Sequence, residues 1–351
     1  MLDLFELDGS QGEGGGQILR TALTLSIATG RPFRLKNIRA NRRRPGLMRQ
    51  HLMCVQAAQE ISGASTQGAD PGSQTLVFEP GPLRPGDYAF HIATAGSTTL
   101  VFQTLAPLLL LGKRAFTLEF TGGTHNSAAP CLDFLTQTYL PCLESMGVAW
   151  DLVVDRRGYY PAGGGHWKIT LTPPTAFTSL EMLRRMPAGR PSARILWARM
   201  APGLAEREKR LLAEGLGIGP EDIAIEEDKT SLGPGNVAII SLRQQPVTET
   251  VTLFGGYGAH PGKAAQIAIE EIRAFENHDA PVGYHLADQL PVPLLLAGGG
   301  KFRTGSLSAH FQTNAAILRS FVPDCLSITQ DSDLTHLVSV SPYLVKYPAA
   351  L

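Results

Sequence analysis

Five arginines crowd into eleven residues of this chain: Arg39, Arg42, Arg43, Arg44 and Arg49 in IRANRRRPGLMRQH. A guanidinium fork matches two phosphate oxygens at once, so such a cluster suits a phosphate-bearing ligand. From Gly14 to Gln59 there are nine basic residues and no acidic one. Just upstream, GSQGEGGGQILRTAL is a glycine-rich turn entering a helix, whose backbone N–H groups can receive an anion. Glu13 in the middle of that turn is an odd choice for an anion site unless it holds a metal ion. ATAGSTTL has the same character, with Ser97 as an N-cap. No GxxxxGK[ST], KxDG, HExxH or GxSxG occurs, so phosphate chemistry would need another nucleophile. Neutral imidazole is one, and it forms a labile phosphoramidate. Of nine histidines, His310 sits best, after the turn TGSLSA and at the start of the helix FQTNAAILRSF. Composition alone would give it only a capping or packing role.

The elements that must position these residues repeat. Aligned on Phe33, Phe116 and Phe302, three segments each read helix, glycine, strand. Gln103 and Gln289 stand thirteen residues before the phenylalanine, and Pro107 and Pro293 nine before it; the first segment has Arg20 and Thr24 there. Eight or nine residues beyond it come Arg42, His125 and His310, each ahead of further helical character. An apolar helix, a strand and a second helix cover one face of a small sheet, and copies can bury their helices against one another. Pro45 and Gly46 are expected to open the second helix of the first copy, which would make the places of Arg39 and Arg42 equivalent to that of His310. Between the second and third copies the texture changes. Strands ARILWARM and NVAIISLR and charged helices LAEREKRLLAEG and GKAAQIAIEEIRAF read as an inserted α/β domain.

Composition bounds the rest. The chain has 351 residues, 43% hydrophobic and 18% charged, with 31 basic against 31 acidic groups and a mean hydropathy of zero. That is globular rather than disordered, and argues for about two domains. A neutral total opposes bulk binding to long nucleic acid, while the local basic patch still fits one docked phosphate. Four cysteines without CxxC or zinc spacing read as reduced, mostly buried thiols. The start lacks a signal-peptide pattern and the longest apolar run, Leu105 to Gly112, is too short for a bilayer. The expectation is a cytoplasmic protein without a membrane segment.

RGYYPAGGG, Arg157 to Gly165, closely resembles the signature of the RNA 3'-terminal phosphate cyclases. GQILRTAL, RANRRRPGL, GGTHNSAAPCLDF, HLADQL and SAHFQTN resemble other segments of that family, in order, from about Leu7 onward. The resemblance implies an α/β (α+β) fold of three units akin to the C-terminal domain of translation initiation factor three, plus a smaller inserted α/β domain. The expected division is a discontinuous large domain over 1–180 and 281–345, with the insert at 181–280. It implies an enzyme in which a histidine attacks the α-phosphate of ATP, AMP passes to an RNA 3'-phosphate, and the adjacent 2'-OH closes a 2',3'-cyclic phosphate. Carried over by motif, the adenylated histidine is His310. The nucleotide contacts are Gln103, Pro130, Tyr284, His285, Leu286, Ala287, Asp288 and Gln289. The carboxylate for a divalent metal, Mg2+ or Mn2+, is Glu13, and Arg20, Arg39, Arg42 and Gln50 face phosphate or RNA. The partner is RNA with a 3'-terminal phosphate, and a homo-oligomer stays open. The family also has non-catalytic relatives that act in ribosome assembly and lack the histidine, so His310 discriminates between them. An enolpyruvyl transferase, built of related units, would need neither RGYYPAGGG nor SAHFQTN.

Overall fold

The computed structural model describes residues 4–186, 189–255 and 261–343, and the repeat seen in the sequence takes shape there as three sheets of one topology. The first unit runs β1 (Phe5–Asp8), α1 (Gln17–Thr29), β2 (Phe33–Lys36), α2 (Arg49–Ser62), β3 (Ser65–Gln67) and β4 (Leu76–Glu79). The second runs β5 (Asp87–His91), α3 (Thr98–Leu109), β6 (Phe116–Gly122), a helical stretch, β7 (Ala149–Arg156) and β8 (Gly165–Thr172). That stretch comprises α4 (Leu132–Phe134), a π-helical turn (Leu135–Tyr139) and α5 (Leu140–Ser145). The third unit opens with β9 (Leu180–Met182) and is then interrupted by β10 (Ser192–Ala198), α6 (Gly203–Leu216), β11 (Ile223–Glu227), β12 (Gly235–Leu242), β13 (Glu249–Gly255) and α7 (Pro261–Glu276). It resumes with α8 (Tyr284–Ala287), α9 (Pro291–Leu296), β14 (Gly300–Thr304), α10 (Ala309–Phe321), β15 (Leu326–Gln330) and β16 (His336–Val340).

The strand orders are β1-β2-β4-β3, β5-β6-β8-β7 and β9-β14-β16-β15. In each, the first pair is parallel and the other two are antiparallel. A parallel pair needs a helical crossover, and that crossover is the apolar helix of the repeat. Phe33, Phe116 and Phe302 fall on the second strand of their sheets and are fully buried. The helices meet in one continuous apolar core shared by all three units. The interrupting sheet, ordered β11-β10-β12-β13, has its own core against α6 and α7. It enters within the crossover from β9 to β14, so the third unit's first strand precedes the insertion. Among the described residues no helix is long and apolar enough to cross a membrane. Of the expected domain spans, residues 1–3, 187–188, 256–260 and 344–345 lie outside the described residues.

Two local expectations are corrected. Pro45 and Gly46 do not open α2, which starts at Arg49 behind Met48. Gly46 has φ +81 and its N–H donates to the Ile38 carbonyl, so it closes a turn instead. The matched polar positions also diverge: His310 is inside the first turn of α10, whereas Arg42 and His125 each precede their helical stretch by seven residues. Longer strand-to-helix connections in the first two units separate the positions that the alignment equates.

Candidate active site

His310 owes its place to a helix start. Ser308 N-caps α10 by accepting the Phe311 N–H at 2.8 Å, and its hydroxyl donates to the Asp288 carboxylate. The imidazole is half exposed, and its Nδ1 lies 3.1 Å from Glu13 Oε2. The same oxygen sits 3.3 Å from the Arg42 guanidinium. Burial works against the Glu13 carboxylate, but the bond from His310 and the charges of His310, Arg42 and Arg20 outweigh it and hold its pKa below the usual value. A carboxylate only accepts, so His310 Nδ1 carries the proton in this contact, and in the neutral ring the lone pair stands on Nε2.

Glu13 reaches this point because the glycine-rich turn folds back on itself. Gly14 has φ +59, a region a side chain disfavours. At Gly16 a Cβ would stand 2.3 Å from the His51 ring. His51 is buried, its Nδ1 lacks a partner, and burial together with Arg20 and Arg39 pushes its pKa down to about 3. It is a neutral spacer between the turn and the arginines. Arg20 donates to Gln17 at 2.6 Å and pairs with no carboxylate among the described residues; burial draws its pKa down. An uncompensated guanidinium of this kind is set to receive an anion.

A second network ties α1 to α10. Asn314 accepts from Gln17 Nε2 at 2.9 Å and from Thr21 Oγ1 at 2.6 Å, and donates to the Asp288 carbonyl at 2.7 Å. Burial raises the Asp288 carboxyl to about 6, against the Ser308 bond and the charges of His310 and His285. His285 faces Glu271 at 2.9 Å; burial lowers its pKa, but that contact and the charges of Glu249 and Asp288 carry it up to about 8.

These groups surround a cavity of about 360 Å³ where the three units and β13 converge, a size suited to a nucleotide-sized ligand. Its lining includes the polar groups Gln17, Arg20, Asn314 and His310, together with Phe134, Tyr139, Thr250, Thr252 and Phe254. Of the residues expected from sequence, Arg20, Gln103, Pro130, His285, Asp288, Gln289 and His310 line it. Gln103 donates to Gln289 across it. Glu13 joins it through His310. Tyr284 is exposed, and Leu286 and Ala287 are buried in the core rather than on the cavity wall. Gln50 accepts the Ser97 N–H at 2.8 Å, at the start of α3. Arg39, at φ +54, donates to the carbonyls of Arg44 and Gly46 and so braces the basic turn. Gln17 and Asn314 were missed although both lie in quoted motifs. The wall supplied by β13 had no sequence signal at all.

Fold and site together define a protein of three repeated α/β units with a histidine-bearing cleft between them. The family model for RNA 3'-terminal phosphate cyclase matches residues 11–328. An RNA 3'-terminal phosphate cyclase of Koribacter versatilis (strain Ellin345) is 45% identical over 336 residues, covering 96% of this chain and 95% of its own. One of Ralstonia nicotianae is 44% identical, covering 93% and 94%. A crystal structure of the enolpyruvyl transferase NikO from Streptomyces tendae matches at 9% identity and a TM-score of 0.38, covering 95% of this chain and 47% of that one. The chain belongs to the RNA 3'-terminal phosphate cyclase family.

Proposed function

We propose that this protein uses ATP to convert an RNA 3'-phosphate into a 2',3'-cyclic phosphate, with His310 as the nucleophile. The observation that carries the reading is the Glu13 contact with His310 Nδ1 in a cavity of nucleotide size. Nε2 attacks the α-phosphorus, forming an N–P bond as the bond to pyrophosphate breaks. An oxygen of the RNA 3'-phosphate then takes AMP from the histidine. Finally the vicinal 2'-oxygen attacks the 3'-phosphorus, loses its proton and expels AMP. The last step is intramolecular, so orienting the ribose supplies most of what it needs, and requirement for the 2'-OH makes RNA the substrate.

Within this reading Glu13 fixes the tautomer of His310 and stabilises positive charge as the ring reacts. Arg20 receives phosphate charge. Gln103, Pro130, His285, Asp288 and Gln289 hold the nucleotide, with the backbone of 284–287 behind them and Tyr284 at its exposed edge. Arg39, Arg42 and Gln50 hold the RNA end. A single carboxylate beside a triphosphate is an ordinary Mg2+ or Mn2+ arrangement, so Glu13 would hold such an ion, which would offset phosphate charge. We divide the chain into a large domain, 1–180 with 281–345, and an insert, 181–280, supported by their separate cores, with Glu181 and Met182 completing β9 in the large domain's third sheet. Four free, buried cysteines fit a reducing compartment, the cytoplasm. The test is incubation with α-labelled ATP and Mg2+ or Mn2+. Acid-labile, alkali-stable label on the wild type and none on His310→Asn is expected; equal labelling of both would reject the assignment.

A further inference from the structure

The RGYYPAGGG segment carries no role in the chemistry above, yet its tip is one of the most exposed apolar points described. Tyr160 is 78% exposed, while its neighbour Tyr159 is buried and donates to Asp228 Oδ2 at 3.0 Å. Leu232, 57% exposed, lies against this tip from the loop between β11 and β12 of the insert. A Cβ on Gly164 would stand 2.6 Å from the Leu232 side chain, and one on Gly233 would stand 2.3 Å from Ala162. Two glycines thus let the loops touch, and Tyr160, Pro161, Ala162 and Leu232 make one projecting surface.

Two arginines without carboxylate partners flank it, among acidic neighbours that include Asp155, Glu227 and Asp228. Arg156 donates to the Gly164 carbonyl and Arg199 to the Ser231 carbonyl, both at 2.7 Å, and neither meets a carboxylate among the described residues. Lys229 is exposed, with only a loose 3.9 Å approach to Glu227. The surface also abuts the cleft. Gly163 packs on Thr94 and Ala95, whose carbonyl accepts from Asn126, and the next residues, Ser127 to Pro130, are cavity wall.

We propose that Tyr160 and Leu232 form a platform for a base of single-stranded RNA upstream of its 3'-phosphate, with Arg156 and Arg199 attracting the backbone. An exposed aromatic flanked by unpaired arginines is what sequence-tolerant binding of single strands requires. The platform rests on the cyclase reading only for which strand end lies in the cleft. It also explains why the two loops meet: each domain supplies one platform residue and one arginine.

The experiment measures anisotropy of a labelled single-stranded RNA of about ten nucleotides on wild type, Tyr160→Ala, Tyr160→Trp and Leu232→Ser, with histidyl-AMP formation measured separately. Tyr160→Ala is expected to weaken binding about tenfold, the loss of one base stack. Leu232→Ser should weaken it less and Tyr160→Trp should retain it, with labelling by ATP unchanged throughout. Unchanged RNA affinity in Tyr160→Ala overturns the platform. So does a shift in oligomeric state by sedimentation with RNA affinity intact, which would make the surface an interface between copies. Failure of the wild type to label would reject the cyclase reading alone, because RNA binding is read independently of it.

Discussion

The same place in three units carries Gln289, Gln103 and Arg20, and their surroundings differ. Gln103 donates to Gln289 across the cavity, while Arg20 bonds to Gln17 and forms no ion pair among the described residues. A repeated scaffold delivers equivalent positions to one centre, and a single different side chain there puts a guanidinium where the other units have an amide. The proposed nucleophile shows the same asymmetry, since His310 stands inside its helix start while Arg42 and His125 stand ahead of theirs. His125 is buried between Thr124, at 2.8 Å, and Asp133, also at 2.8 Å, and does not line the cavity that His310 lines.

The largest effect should come from the nucleophile. His310→Asn is expected to lower protein labelling and cyclisation by about 10⁴-fold or more, with helical circular dichroism unchanged. His125→Asn should leave labelling near wild type, because that ring is structural; loss of labelling there with the fold intact would break the distinction between the two histidines.

Making the units alike is the sharper test. Arg20→Gln gives all three the same residue and removes the uncompensated charge, so histidyl-AMP formation should fall about 10²-fold to 10³-fold. Arg39→Ala and Arg42→Ala should instead slow consumption of histidyl-AMP by a 3'-phosphorylated oligonucleotide more than its formation. Arg43→Ala and Arg44→Ala, in the same exposed turn, should change either step less. Equal rates in both steps for Arg39→Ala and Arg42→Ala would return the patch to a charged surface.

Glu13 separates two roles in one residue. Gln accepts the Nδ1 proton without the charge, so Glu13→Gln should keep more labelling than Glu13→Ala, which is expected to lose about 10²-fold. If the metal role dominates, the two variants fall together and raised Mn2+ restores part of the loss.

How far the sequence carried this picture depends on the range of the cause. The helix, glycine and strand of each unit were legible because apolar runs and glycine stops are local, and Phe33, Phe116 and Phe302 marked the strand that each helix leads into. The parallel first strands were not, since β9 is only three residues long and lies a whole inserted sheet away from its partner β14. His310 and Glu13 were legible as chemistry-bearing types in unusual turns, but that they touch is a contact between residues 297 positions apart. Thr250, Thr252 and Phe254 alternate on β13 like any strand face, so only the assembled fold reveals them as cavity wall.

The smallest expected effect tests the paired glutamines. Gln103 and Gln289 occupy matched positions and bond to each other, and Gln289 also donates to the His285 carbonyl at 3.1 Å. If their task is to shape the nucleotide wall as one unit, removing either side chain leaves the other without its partner. Gln103→Ala and Gln289→Ala should each raise the KM for ATP in histidyl-AMP formation by about tenfold with little change in maximal rate, as for loss of binding shared by ground and transition states. The double variant should be scarcely worse than either single one, because residues in one hydrogen-bonded pair do not add. Additive losses would mean that each glutamine meets the nucleotide alone, and that the symmetry of the second and third units is retained in position but not in use.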